Sequence, residues 1–183
     1  MLCSFPSFVF PLWLRLVRVR VIGDPNRAIT LHEQQIHILK QLGARRNEGI
    51  ALSNLGAAYA ALGKFQQAIK YYEERLEIAL ELGDRKGEGA TLNNIGLAYA
   101  DLGDHQRAVE YYKQSLIIKQ EIGDLRGEGN TLWNMSLVHY KLGNQPQAIA
   151  YAEDALDILY EQIEDLVNVE NIRREIIEWQ GKY

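Results

Sequence analysis

From Gly23 onward, apolar residues recur three and four positions apart, in stretches separated by short polar turns. That spacing lays an apolar stripe along one side of a helix. Asp24-Pro25 opens the first stretch: aspartate accepts from free backbone N–H groups, and proline at the first helical position gives up an N–H that has no partner. Ala28, Ile29, Ile36 and Leu39 then share a face, and Gly43 ends the run because glycine enters the left-handed conformation cheaply. Three pairs of runs follow. Their first members are predicted at about Glu48–Leu62, Glu88–Leu102 and Glu128–Leu142, closed by Gly63, Gly103 and Gly143. Their second members, at about Gln66–Leu82, Gln106–Ile122 and Gln147–Gln162, should return antiparallel. Asp104 and Asn144 are suited to cap second helices; Lys64 is not. Gly83–Gly89 and Gly123–Gly129 both read GDxxGEG and are expected to link one pair to the next. Ile163-Glu164 stands at the matching place in the last pair, so that break should be weaker. Ile172, Ile176 and Trp179 fall at i, i+4 and i+7, one face of a final helix that covers the end of the array.

The pairs are one unit written repeatedly. Asn47–Lys86 and Gly87–Arg126 are identical at 19 of 40 positions, and Gly127–Leu166 follows the same register more loosely. The organisation predicted is a half repeat over 23–46, full repeats over 47–86, 87–126 and 127–166, and a capping helix over 167–183. Arg75 stands where the later repeats have Ser115 and Ala155, and its guanidinium is expected to snorkel to solvent.

Residues 1–22 fit this scheme poorly. The run is apolar but too short, and too interrupted by Pro6, Pro11, Arg15, Arg18 and Arg20, to span a bilayer. Its basic residues follow the apolar part, the reverse of a secretory signal. Arg15 and Leu16 occupy the slots of Leu55 and Gly56, and Leu14–Val21 nearly alternates. The segment reads as a mis-started or truncated repeat, with an amphipathic or membrane-touching segment and an imperfect capping helix as rivals.

Length alone would also fit a HEAT or armadillo unit. The residues resemble the tetratricopeptide repeat instead: Leu52, Leu55, Gly56, Tyr59, Ala68 and Tyr72; then Leu92, Ile95, Gly96, Tyr99, Ala108 and Tyr112; then Leu132, Met135, Ser136, His139, Ala148 and Ala152. The small residues let two backbones approach, and the large ones fill the gaps to neighbouring helices. A forty-residue period exceeds the family's usual 34 and is similar to that of Pins/LGN-type scaffolds and bacterial signalling arrays. The resemblance implies an all-α fold of antiparallel helix-pair repeats stacked as a right-handed α-solenoid. Ser136 and His139 depart from the pattern, so the third repeat is expected to pack less tightly.

The resemblance further implies a concave groove lined by the first helix of each pair. Groove positions that packing does not require are Ser53, Asn54 and Ala57; Asn93, Asn94 and Leu97; and Asn130, Trp133, Asn134 and Leu137. Asn54, Asn94 and Asn134 recur in register, and a carboxamide offers both donor and acceptor to an extended peptide backbone. Trp133, near Tyr140, is a candidate anchor. Two structural readings compete: the asparagines bond to a neighbouring helix, or Trp133 is buried against the C-terminal lid. Ala57, Leu97 and Leu137 replace the asparagine of a carboxylate clamp. Ile50, Ala90 and Asn130 replace the arginines of Pins/LGN-type grooves. Neither mode of binding is expected.

Charge and candidate chemistry narrow the reading. The net charge of −4 argues against a nucleic-acid partner. Residues 1–46 carry seven Lys or Arg against two acids (+5), which leaves −9 for the rest. The lone Cys3 excludes a disulfide framework and fits a cytoplasmic setting. His32 and His37 are five residues apart, about 140° round a helix, where a zinc pair needs four. Gly123–Gly129 lacks the Lys-Ser/Thr of a phosphate loop. His105 and His139 have no nucleophile in a catalytic arrangement. No metal, cofactor or catalysis is expected; the function predicted is a non-catalytic scaffold for a protein or extended peptide. The alternatives are the sensor or regulatory arm of a larger signalling protein, and a module that self-associates through its N-terminal end.

Overall fold

The computed structural model describes residues 25–159 and 166–181. The described residues form eight helices: α1 Pro25–Gln41, α2 Arg45–Ala61, α3 Phe65–Glu81, α4 Arg85–Asp101, α5 His105–Glu121, α6 Leu125–Lys141, α7 Gln145–Asp157 and α8 Leu166–Trp179. Consecutive helices pack against each other as an α-solenoid, with α2–α3, α4–α5 and α6–α7 as the pairs. The unusual N-terminal stretch 1–22 lies outside the described residues, as does the expected break at Ile163-Glu164. No described helix is long and apolar enough to cross a membrane.

The turns follow from glycine. At Gly103 the backbone takes φ +83°, and the N–H of Asp104 reaches back to the Tyr99 carbonyl at 2.9 Å. That bond satisfies a carbonyl the helix end would otherwise leave bare. The other turns repeat it.

The GDxxGEG stretches are not links along their whole length. Only the Gly-Asp pairs lie in the turns; helices α4 and α6 begin at Arg85 and Leu125, about three residues before the predicted starts. The cause is the cap: Asp84 and Asp124 accept the N–H groups of Gly87 and Gly127 at 2.9 and 3.0 Å. Glu88 and Glu128 then sit in the first turn, where the helix dipole favours an acid. Asp104 caps α5 through Arg107 N–H at 3.1 Å, and Lys64 makes no such bond. Asn144, expected to cap α7, makes none either. The other caps take the N–H three residues on, here that of Gln147, so Pro146 at the second position does not account for the missing bond.

Close approach within each pair rests on small residues. A β-carbon on Gly56 would fall 2.6 Å from the Tyr72 ring, and one on Gly96 would fall 2.7 Å from Tyr112. In the third pair Ala152 stands where the tyrosines were, and Ser136 beside it is fully buried. The smaller partner makes room for the larger residue. Tyr59 stacks on Tyr71 and Tyr99 on Tyr111, at 5.3 and 5.4 Å between ring centres. His139 meets Tyr151 at the same register, tilted by 44°. Leu52, Leu55 and Ile95 are fully buried among these rings, each stabilising the fold by roughly 1.5–3 kcal/mol.

Arg75 does not reach for solvent. It is buried, and its guanidinium donates to the Asp84 carboxylate at 2.6 Å. The expectation failed because Asp84, nine residues on, folds back over it as the cap of α4. The Gly87 N–H, then Arg75, hold that carboxyl below its ordinary range.

Helix α8 places Val169, Ile172, Ile176 and Trp179 in one core with Leu132 of α6 and Ala148, Ala152 and Ala155 of α7. Counting forty residues back, Val169 and Ile176 match Gly129 and Ser136. Bulky side chains stand at the close-approach positions, so α8 does not repeat the first-helix pattern of the pairs.

Candidate functional site

The first helices α2, α4 and α6 carry the predicted groove residues. Asn54 is two residues from Gly56, roughly 200° round the helix, so the asparagine face points away from the second helix. Asn54, Ala57 and Leu97 are exposed; Ser53, Asn93, Asn94, Asn130, Trp133, Asn134 and Leu137 are half-buried. Asn54 and Asn94 form no side-chain hydrogen bond among the described residues.

The third asparagine of the ladder differs. Asn134 Nδ2 donates to Asn93 Oδ1 at 3.2 Å, so helix-to-helix bonding accounts for one rung. Asn93 Oδ1 also lies 3.2 Å from Thr131 Oγ1. Behind Thr131 stands Lys119 of α5, whose ammonium donates to Thr131 Oγ1 at 2.6 Å and to the Gly127 carbonyl at 3.1 Å. Burial pushes that ammonium down to about 8. Lys119 escaped the sequence reading, although a signal existed: its register column otherwise holds Leu39, Ala79 and Leu159.

Trp133 lies against the C-terminal helix. Its ring stacks on Trp179 with centres 5.9 Å apart, and Tyr140 stacks on the same indole at 4.6 Å. Gln145 donates its amide to the Trp179 carbonyl. The aromatic pair expected to anchor a partner therefore also holds the lid.

Charged pairs tie the first helices α2 and α4 to the ends of their own second helices. Arg45 bridges Glu48 and Glu81, and Arg85 bridges Glu88 and Glu121 in the same register. These bonds lie outside the asparagine positions, and the exposed charges Arg46, Lys86 and Arg126 stand at the start of the same helix faces. His32 and His37, the metal decoys, bond to Gln35 and Gln41 respectively.

Stacked helix pairs with small residues at the pair contacts define a helical repeat array. The tetratricopeptide repeat profile matches residues 19–81 and 87–161, and the chain belongs to that family. Members are in general non-catalytic protein-interaction scaffolds. No curated protein sequence matches the chain.

Among solved structures, BtubC (BKLC) from P. vanneervenii is 18% identical with a TM-score of 0.75, over 87% of this chain and 67% of its own. A signal transduction ATPase with numerous domains from Pyrococcus horikoshii, which carries a tetratricopeptide repeat sensor, is 20% identical with a TM-score of 0.70. That match covers 78% of this chain and 22% of the ATPase. The apo form of RapI is 14% identical with a TM-score of 0.72, over 84% of this chain and 61% of its own. At these identities the likeness is one of fold.

Proposed function

We propose that the chain is a cytoplasmic scaffold that holds an extended segment of a partner protein along the face of α2, α4 and α6. The observation that carries this reading is the state of Asn54 and Asn94. They recur in register on the first-helix face, and neither spends its carboxamide on the fold. Packing gives no reason for them, whereas a peptide main chain needs donors and acceptors in alternation. Leu97 and Ala57 beside them supply apolar contact for the partner's side chains, and Trp133 with Tyr140 closes one end. The test is to pan random linear peptides displayed on phage against the full chain, then to titrate a selected peptide by calorimetry. Asn94→Ala should weaken binding while helicity and melting hold; loss of fold in that variant would mean the asparagine is structural.

Two further readings each have an observation behind them. Likeness to the repeat sensor of the Pyrococcus ATPase favours a sensor arm of a larger signalling protein; an NTPase or kinase domain encoded immediately upstream would support it, and an unrelated gene would not. Leu31 and Ile38 on α1 are more than half exposed, whereas Ile78 and Ile118, in the Ile38 register, are buried. That open face favours self-association, which a concentration-independent monomer in analytical ultracentrifugation would exclude.

A further inference from the structure

The steps from α2 to α4 and from α4 to α6 each bury one cation: Arg75 in the first turns to Asp84, whereas Lys119 in the second turns to Thr131. Lys119 leaves 5% of its surface exposed, and an ammonium has three donors and no acceptor. The charge that acts on it is the Asp124 carboxylate, which caps α6. On the helices packed against it, Glu88 of α4 is tied to Arg85 and Glu128 of α6 to Gln120.

The hydrogen-bond directions follow from that cation. Thr131 Oγ1 must accept from Lys119, and its single proton has two acceptors in reach: the Gly127 carbonyl at 2.9 Å and Asn93 Oδ1 at 3.2 Å. The Gly127 carbonyl already accepts from Lys119 and, inside α6, from the Thr131 backbone N–H, which fills its two lone pairs. That crowding at the Gly127 carbonyl favours Asn93 as the acceptor of the proton. The inward atom of Asn93 is then its oxygen, and the atom of Asn134 that meets it is the amide nitrogen. What remains for the groove is a donor, Asn93 Nδ2, and an acceptor, Asn134 Oδ1.

The preceding step serves as a built-in comparison. Ala79 stands in the place of Lys119, and Thr91 turns its hydroxyl to the Gly87 carbonyl at 2.7 Å. Ser53 and Asn94, the counterparts of Asn93 and Asn134, form no side-chain hydrogen bond among the described residues. The buried cation of this step, Arg75, bonds to Asp84 and not to the threonine, and the chain of bonds stops at Thr91.

We propose that Lys119 is a positioning residue for the groove: through Thr131 it orients Asn93 and Asn134 to present one donor and one acceptor to a peptide group of an extended occupant. A peptide group carries one C=O and one N–H, the complement of that pair. The inference rests on the reading of this face as a peptide site and adds to it a fixed polarity, confined to the step between the second and third repeats.

The test reads the side-chain amide resonances of Asn93, Asn134 and Asn94 in the full chain labelled with nitrogen-15. Between pH 6.5 and 9.5 the Asn93 and Asn134 signals should shift together with a midpoint near 8, while Asn94 stays still. Lys119→Met should abolish the midpoint and bring both signals toward the Asn94 position. Static Asn93 and Asn134 signals in the unsubstituted chain would overturn the proposal whether or not the variant folds. So would signals unchanged by Lys119→Met. A purely structural lysine would alter melting without this signature. With a phage-selected linear peptide as probe, Lys119→Met should weaken binding about fivefold at pH 7, the loss of one hydrogen bond. An intact titration with no peptide bound to this face would sink the groove reading and leave the polarity of the pair standing.

Discussion

Asn134 donates to Asn93 across the gap between α4 and α6, at 3.2 Å, while Asn94, one position along from Asn93, bonds to nothing among the described residues. The two neighbours should behave oppositely on truncation. Asn93→Ala removes an acceptor shared by Thr131 and Asn134 and should cost about 1 kcal/mol of stability. Asn94→Ala should stay within roughly 0.5 kcal/mol of the parent. Urea unfolding followed by circular dichroism measures both.

Much of this arrangement was legible in the chain. Period, helix order and the small-large pairs such as Gly56 with Tyr72 could be read because they recur, and a recurring residue reports the packing every repeat shares. What was not legible belongs to one repeat only. Arg75 turned inward because Asp84 caps the next helix above it, a tertiary coincidence with no spacing rule. Asn144 makes no cap although its sequence position matches Asp104. Lys119 broke an apolar column, yet one exception in a column of four does not say what it bonds. Glycine composition alone points to linkers before α4 and α6, whereas the capping aspartates Asp84 and Asp124 already begin those helices. Among the groove residues, exposure of Asn54 and Leu97 follows from helical geometry. The diversion of Asn134 to Asn93 depends on a lysine on another helix.

The contacts at Gly56 and Gly96 predict overpacking. Alanine at either position would drive its methyl into a tyrosine ring 2.6 or 2.7 Å away and should destabilise by about 1–3 kcal/mol. Pairing Gly96→Ala with Tyr112→Ala should recover part of the steric loss, as Ser136 opposite Ala152 already does. A double-mutant cycle in thermal unfolding would measure the coupling.

His139 has no hydrogen-bond partner at either buried ring nitrogen. Burial, with Lys113 near by, lowers its pKa below the ordinary imidazole value. A histidine lowered in the folded state contributes stability that is present above its unfolded value and lost as pH falls through the folded one. Melting temperature should therefore drop from pH 7 toward 5 more steeply than in His139→Tyr. That variant rebuilds the tyrosine pair of the other repeats and should gain about 0.5–1.5 kcal/mol.

Lys119 has the same sign on the alkaline side. Its folded value near 8 lies under its ordinary 10.5, so stability should rise as pH climbs from 8 toward 10. The rise should be on the order of 2 kcal/mol, and it should be absent in Lys119→Met. The variant should be at least as stable as the parent at pH 7, because burying the ammonium costs more than the Asp124 carboxylate returns, and a buried thioether carries no such cost. Differential calorimetry between pH 7 and 9.5 would show the two curves converge.

The central claim is that the carboxamides left free by the fold are there to hold a partner's main chain. The most direct measurement is the calorimetric Kd of a phage-selected linear peptide for the full chain and for Asn94→Ala, at pH 7 and matched melting temperature. The account predicts binding weakened about tenfold in the variant, the loss of roughly 1.4 kcal/mol that an unmatched main-chain group costs. Equal affinities for parent and variant would contradict it.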